Sequence, residues 1–182
     1  MIDGLAASLA LTLLWTGWET GSVYQLGQTV TVLMAALVAR FLTLPLAGFV
    51  VGLQDVQDPD HAVGAAFLGG FVAIYGLLWI SVINLTTEMR NFHERGPGDR
   101  VLGAGCGALR GGLMGLVLIV GLMTMTFDRQ DGTYSSAIQT SRVGPIAARY
   151  DFLAKFADAL EQDLAERADR PPARDPAWDT PQ

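Results

Sequence analysis

Three groups of residues have types and spacings that could support chemistry. Asp55, Asp58 and Asp60 stand beside His61 in a stretch without Lys or Arg, a donor set that a divalent cation could use. A solvated turn around Pro59 competes with that reading and takes precedence, because Asp and Pro are turn formers. Gly103-Ala104-Gly105-Cys106-Gly107-Ala108 has the outline of a dinucleotide-binding Gly-x-Gly-x-x-Ala loop. Arg95-Gly96-Pro97-Gly98-Asp99-Arg100 precedes it where that loop needs a hydrophobic strand, so nucleotide binding is not expected. The third group is Asp99, Arg100 and Arg110, ionisable residues at the foot of a long apolar run. Asp99 near a helix N-terminus complements the helix dipole, and Arg110 is suited to an acid or a lipid phosphate. Plain control of membrane topology by arginines is the alternative.

The inventory for catalysis is thin. The two histidines, His61 and His93, are expected on opposite sides of a membrane; no Ser lies in a nucleophile elbow and no His-Glu-x-x-His is present. Cys106 is the sole cysteine, which excludes an internal disulfide and a cysteine metal cluster. A non-enzymatic protein without a cofactor or metal is the expectation.

These residues must be positioned by membrane helices. Of 182 residues, 51% are hydrophobic and only 16% charged, against about 25% charged in a typical soluble domain. The mean hydropathy of +0.34 agrees. The formal net charge is -6, and no Lys/Arg face is present to displace counterions from phosphates, so nucleic acid is not expected as a partner.

From Asp99 to Phe127 the chain reads as a membrane helix with a polar foot. Gly103, Gly107, Gly111 and Gly115 recur every four residues and fall in one slowly drifting line on a helix. In water such glycines destabilise a helix by roughly 0.5 to 1 kcal/mol each, but in lipid a small-xxx-small face lets backbones approach. Asp99, Arg100, Gly103, Gly107, Arg110, Gly111 and Gly115 are therefore the candidate helix-packing or partner-binding residues.

Three more spans and an interfacial apolar segment precede it. Ile2 to Trp18 reads as an uncleaved first span, with Ser8, Thr12 and Thr16 on one stripe that could bond across helices or to its own carbonyls. After a polar break from Glu19 to Gln28, a second span runs from Thr29 to Val38, and Arg40 reaches the interface from its end. Pro45 and Gly48 interrupt Phe41 to Leu53, which reads as an interfacial or partly re-entrant segment. Ala62 to Leu85 is the clearest span. Its Ala65, Gly69 and Ala73 repeat the small-residue spacing, which predicts packing on the Gly103 helix. Tyr75 and Trp79 on it read as packing residues.

Arg90, Arg95 and Arg100 make Thr86 to Arg100 the most basic short connector, so the positive-inside rule places it in the cytoplasm and both chain ends outside. The expected organisation is a four-span helical membrane domain at 1–127, then a polar segment plus amphipathic helix at 128–164 and a disordered tail at 165–182. Ile146, Tyr150, Leu153 and Phe156 or Ala157 form the apolar face of that amphipathic run. The fold class is all-α, about four transmembrane helices with an interfacial segment after the second and a C-terminal amphipathic helix.

Asp99-Arg100-Val101-Leu102-Gly103-Ala104-Gly105-Cys106-Gly107-Ala108-Leu109-Arg110-Gly111 resembles the D-R-x-x-G-x-x-x-G-x-x-R-G signature that opens the last span in the colicin V production protein family. Asp3, Ala39-Arg40-Phe41 with Pro45, and Ser141-Arg142-Val143-Gly144-Pro145 add to the likeness. Trp18-Glu19-Thr20-Gly21 stands where family members often carry basic residues around an Arg-Gly pair. The resemblance implies a small, multi-pass bacterial inner-membrane protein needed for production or export of a secreted toxin and for envelope homeostasis. The corresponding reading is an accessory protein whose helices contact the bilayer and either further copies of itself or a membrane-protein partner. A small oligomeric channel or transporter is the alternative. Arg40 and Arg110, both expected near helix ends, give that alternative little intramembrane charge to work with.

Overall fold

A computed structural model describes residues 2–54, 58–90, 96–126, 141 and 153–169. Their regular structure is helical: α1 (Ile2–Thr20), α2 (Ser22–Gln54), α3 (Pro59–Arg90), α4 (Pro97–Met125) and α5 (Ala154–Asp169). The stretches 22–52, 59–84 and 97–125 are each long and apolar enough to cross a membrane. α1, at 19 residues or about 28 Å, lies along α4 and matches a hydrocarbon core of roughly 30 Å. The protein is thus an all-helical, membrane-embedded bundle.

The polar break between the first two helices contracts to one residue. Gly21 has φ +85°, a left-handed conformation that glycine adopts without strain, and its N–H closes α1 on the Gly17 carbonyl at 3.0 Å. Gln25 and Gln28 consequently lie within the first two turns of α2 rather than in a loop. Phe41 to Leu53, expected as a separate interfacial segment, continues α2 through Pro45. At 33 residues α2 is about 50 Å long, more than a hydrocarbon core spans, so it must tilt or project beyond that core. Arg40 is exposed, about 27 Å along α2 from Ser22, close to one hydrocarbon thickness from its start.

Asp58 begins α3: its carboxylate accepts from the Asp60 N–H at 3.1 Å and its carbonyl from the Ala62 N–H at 3.1 Å. This is N-cap chemistry with Pro59 at the first helical position. α3 extends to Arg90 and α4 starts at Pro97, so much of the expected connector is helical. Asp55 and His93 lie outside the described residues.

The apolar core forms where α2, α3, α4 and α5 meet, around Val32, Ala39, Phe67, Phe71, Val120 and Met123. Gly70 presents a small face of α3 to α2, with Leu46 and Ala39 opposite it, and Ala66 one turn away is buried. Gly69 and Ala73, expected against α4, point outward instead. α3 meets α4 farther along, where Gly64 lies against the Gly121 carbonyl and Met125.

Leu153, just before α5, and Ala157 and Leu160 on it are buried at three- and four-residue steps, and α5 packs against α2 and α3, so this amphipathic face seals the bundle. A cleft of about 460 Å³ separates α5 from Leu44, Pro45 and Gly48 of α2. The helix continues past Leu164 to Asp169; Ile146 and Tyr150 lie outside the described residues.

Candidate functional site

The line of glycines on α4 does not face open lipid or the small face of α3. It faces α1, running antiparallel: Gly103 lies against Gly17 and Gly21, Gly107 against Leu13, Gly111 against Ala10 and Gly115 against Ala6. A Cβ on Gly103 would collide with the Gly17 carbonyl, and one on Gly107 with the Leu13 carbonyl. On Gly111 it would stand 2.6 Å from Ala10 Cα, whereas on Gly115 it would meet Ala6 Cβ at an ordinary 3.7 Å. Three glycines are required by backbone contact, and the fourth position has room for a methyl group. The small-residue seam is closed within the chain.

Asp99 ties this seam to the hinge. Its Oδ1 accepts from the Ser22 backbone N–H at 3.0 Å and from the Ser22 hydroxyl. Gly21 has no side chain with which to cap α2, so an acid from α4 performs that task, and its charge favours the helix N-terminus. A Cβ on Gly21 would collide with Asp99 Oδ2. Asp99 stands in the first turn of its own helix, as the sequence predicts, and its carboxylate also caps α2. Arg100, the neighbouring candidate, is exposed and lies outside the buried cluster.

Arg110 departs furthest from expectation. It is the fourteenth of the 29 residues of α4, near the middle of the helix, and only 8% exposed. Its partners among the described residues are an amide and a phenol rather than an acid. Nη1 donates to Gln25 Oε1 at 3.5 Å, and Nη2 donates to the Tyr75 hydroxyl. The guanidinium carbon stands 5.9 Å from the centre of the Tyr75 ring, which stacks on Phe71. Gln25, fully buried, passes the network on by donating to Thr20 Oγ1 at 2.9 Å.

A second contact fixes the depth of this network. Thr29 donates to the Cys106 carbonyl at 3.3 Å and so repeats one turn-pair deeper the Ser22–Asp99 register, with α2 and α4 running parallel. That register places Gln28 level with Gly105, six residues or about 9 Å below Ser22. Arg110 begins deeper, and helix side chains slope toward the N-terminus, so its guanidinium rises toward the same level. Gln28 is fully buried, and among the described residues neither its amide nitrogen nor its oxygen has a partner; Arg110 Nε lacks one too.

Gln25, Gln28, Ser22 and the partner role of Tyr75 were not identified from sequence. The available signal was two glutamines at i and i+3 followed by Thr29, a one-sided polar stripe at the start of an apolar helix. The hydroxyl stripe of α1 resolves simply: Thr12 donates to the Ser8 carbonyl at 2.8 Å and Thr16 to the Leu13 carbonyl at 3.0 Å, within their own helix.

A family model described as Colicin V production protein matches residues 2–151. No curated protein and no solved structure gives a significant match.

Proposed function

The chain belongs to the colicin V production protein family, and from that premise we propose that it serves the production or export of a secreted toxin, and envelope homeostasis more widely, as a non-enzymatic protein of the bacterial inner membrane. The observation that carries this reading is the family match across residues 2–151 of a membrane-embedded bundle. Since α1 occupies the glycine seam, contacts with further copies or with a membrane-protein partner fall to the outer helix faces. Phe41 and Phe49 of α2 and Val72 and Leu77 of α3 are all more than 60% exposed there. In lipid such faces recognise neighbours by shape and packing.

In this reading the basic segment Thr86–Arg100 is cytoplasmic and both termini are periplasmic. The Asp99–Ser22 contact supports it by joining the α1–α2 hinge to the start of α4 on one side.

The test is deletion of the gene in a toxin-secreting bacterium, with toxin measured inside and outside the cells. Toxin release should fall and bile or detergent sensitivity should rise, and the wild-type chain should restore both. Undiminished release and unchanged resistance in the deletion strain would sink the reading.

One observation favours a second reading, a small oligomeric channel or transporter. Arg110 is an ionisable side chain buried inside a membrane bundle, a placement common along ion and substrate pathways. Proteoliposome flux that disappears in Arg110→Met would support it.

A further inference from the structure

We propose that Arg110, Gln28 and Tyr75 form a buried binding site for a small monovalent anion of the size of chloride or formate. Hydrogen-bond supply in this cluster is one-sided. A guanidinium carries five N–H donors, and here two nitrogens serve neutral acceptors on Gln25 and Tyr75 while Nε serves none. The Gln28 amide adds two N–H donors that have no protein acceptor. Tyr75 accepts from Arg110, which leaves its own O–H free to donate. Against these stands one unengaged acceptor, Gln28 Oε1.

The charge points the same way. Among the described residues, no carboxylate lies within ion-pairing distance of Arg110, whose partners are an amide and a phenol. The nearest acid along α4, Asp99, is engaged by Ser22 at the hinge. Water could satisfy the donors but would leave a positive charge uncompensated in a low-dielectric interior, and such charges are normally paired. An anion meets both demands. With Gln28 fully buried, Arg110 nearly so and Tyr75 half-buried, the enclosed side of the cluster favours a small free ion over a lipid headgroup or a carboxylate carried on another helix. The inference depends on neither reading of the protein's wider function.

The test uses the full chain in mild detergent, with thermal unfolding followed by tryptophan fluorescence. Potassium chloride and potassium formate are titrated separately against potassium gluconate, an anion too bulky to enter, at constant ionic strength. A ligand bound only by the folded state raises the unfolding midpoint in proportion to the logarithm of its occupancy term. The midpoint should rise saturably with chloride, with formate, or with both, and the stronger of the two identifies the ion. In Arg110→Met the dependence should vanish. In Gln28→Leu, which replaces an unpartnered amide with an apolar side chain of similar volume, the fold should hold and half-saturation should move up at least tenfold. A midpoint indifferent to both anions, or a response that persists unchanged in Arg110→Met and Gln28→Leu, overturns the proposal.

Discussion

Asp99 does at one position what two side chains usually do separately. It stands in the first turn of α4 and caps α2, so it fixes the angle at which the first two helices leave Gly21. Replacing it with Ala removes the acceptor for a helix N-terminus, a loss of about 1 kcal/mol in typical hosts. Unfolding in detergent should show Asp99→Ala less stable than wild type, with Asp99→Asn between them because Asn still accepts. Gly21→Ala should be worse than either: the left-handed backbone alone costs roughly 1 to 2 kcal/mol, and the added methyl meets the carboxylate. The glycines of α4 supply a sharper comparison. Gly103→Ala, Gly107→Ala and Gly111→Ala should each lower the unfolding midpoint. Gly115→Ala should leave it unchanged or raise it slightly, since Ala favours a helix over Gly by up to about 1 kcal/mol and this site has room. Equal losses at all four positions would contradict the register of α1 on α4.

At the level of elements, the register itself can be trapped. A Cβ on Gly115 would lie 3.7 Å from Ala6 Cβ, within the range a disulfide needs. In a Cys106→Ala background, Ala6→Cys with Gly115→Cys should oxidise to a monomer that runs faster on a non-reducing gel; a cross-linked dimer would mean that the seam joins two chains. Here the limit of the sequence is visible. Glycine spacing identified which face of α4 is thin but not which helix covers it, because spacing describes one surface and pairing requires two. The choice between α1 and α3 turned on Ala6, Ala10, Leu13 and Gly17, a line whose small members are spread among leucines. Helix existence was legible wherever apolar runs were long. Boundaries were less so near Gln25, Gln28 and Pro45, because polarity and proline suggest breaks that burial and a membrane setting override. Arg110 was legible as an ionisable residue but not as a buried one, since its partners come from two other helices.

The whole molecule is a membrane bundle with unlike ends. Trp15 and Trp18 of α1 and Trp79 of α3 are all exposed. Tyr75 shares the level of the Arg110 guanidinium, and Trp79 lies one turn nearer the hinge, so the three indoles form a belt on the Gly21 side. In a Trp178→Phe background, fluorescence should be quenched more by lipids brominated near the headgroup than by those brominated at the chain ends; the reverse order would contradict this placement. With the seam and the polar cluster both enclosed, the proposed partners would meet the exposed apolar outer faces of the helices, such as Phe41 and Phe49 of α2 and Val72 and Leu77 of α3. The most direct measurement of that claim is the mass of the particle extracted from native membranes in mild detergent, with each co-purifying protein identified. The account predicts a particle heavier than the single 19.5 kDa chain, holding further copies or a stoichiometric membrane-protein partner, and persisting in Gly115→Ala. A lone chain that still supports toxin release in the same cells would contradict it.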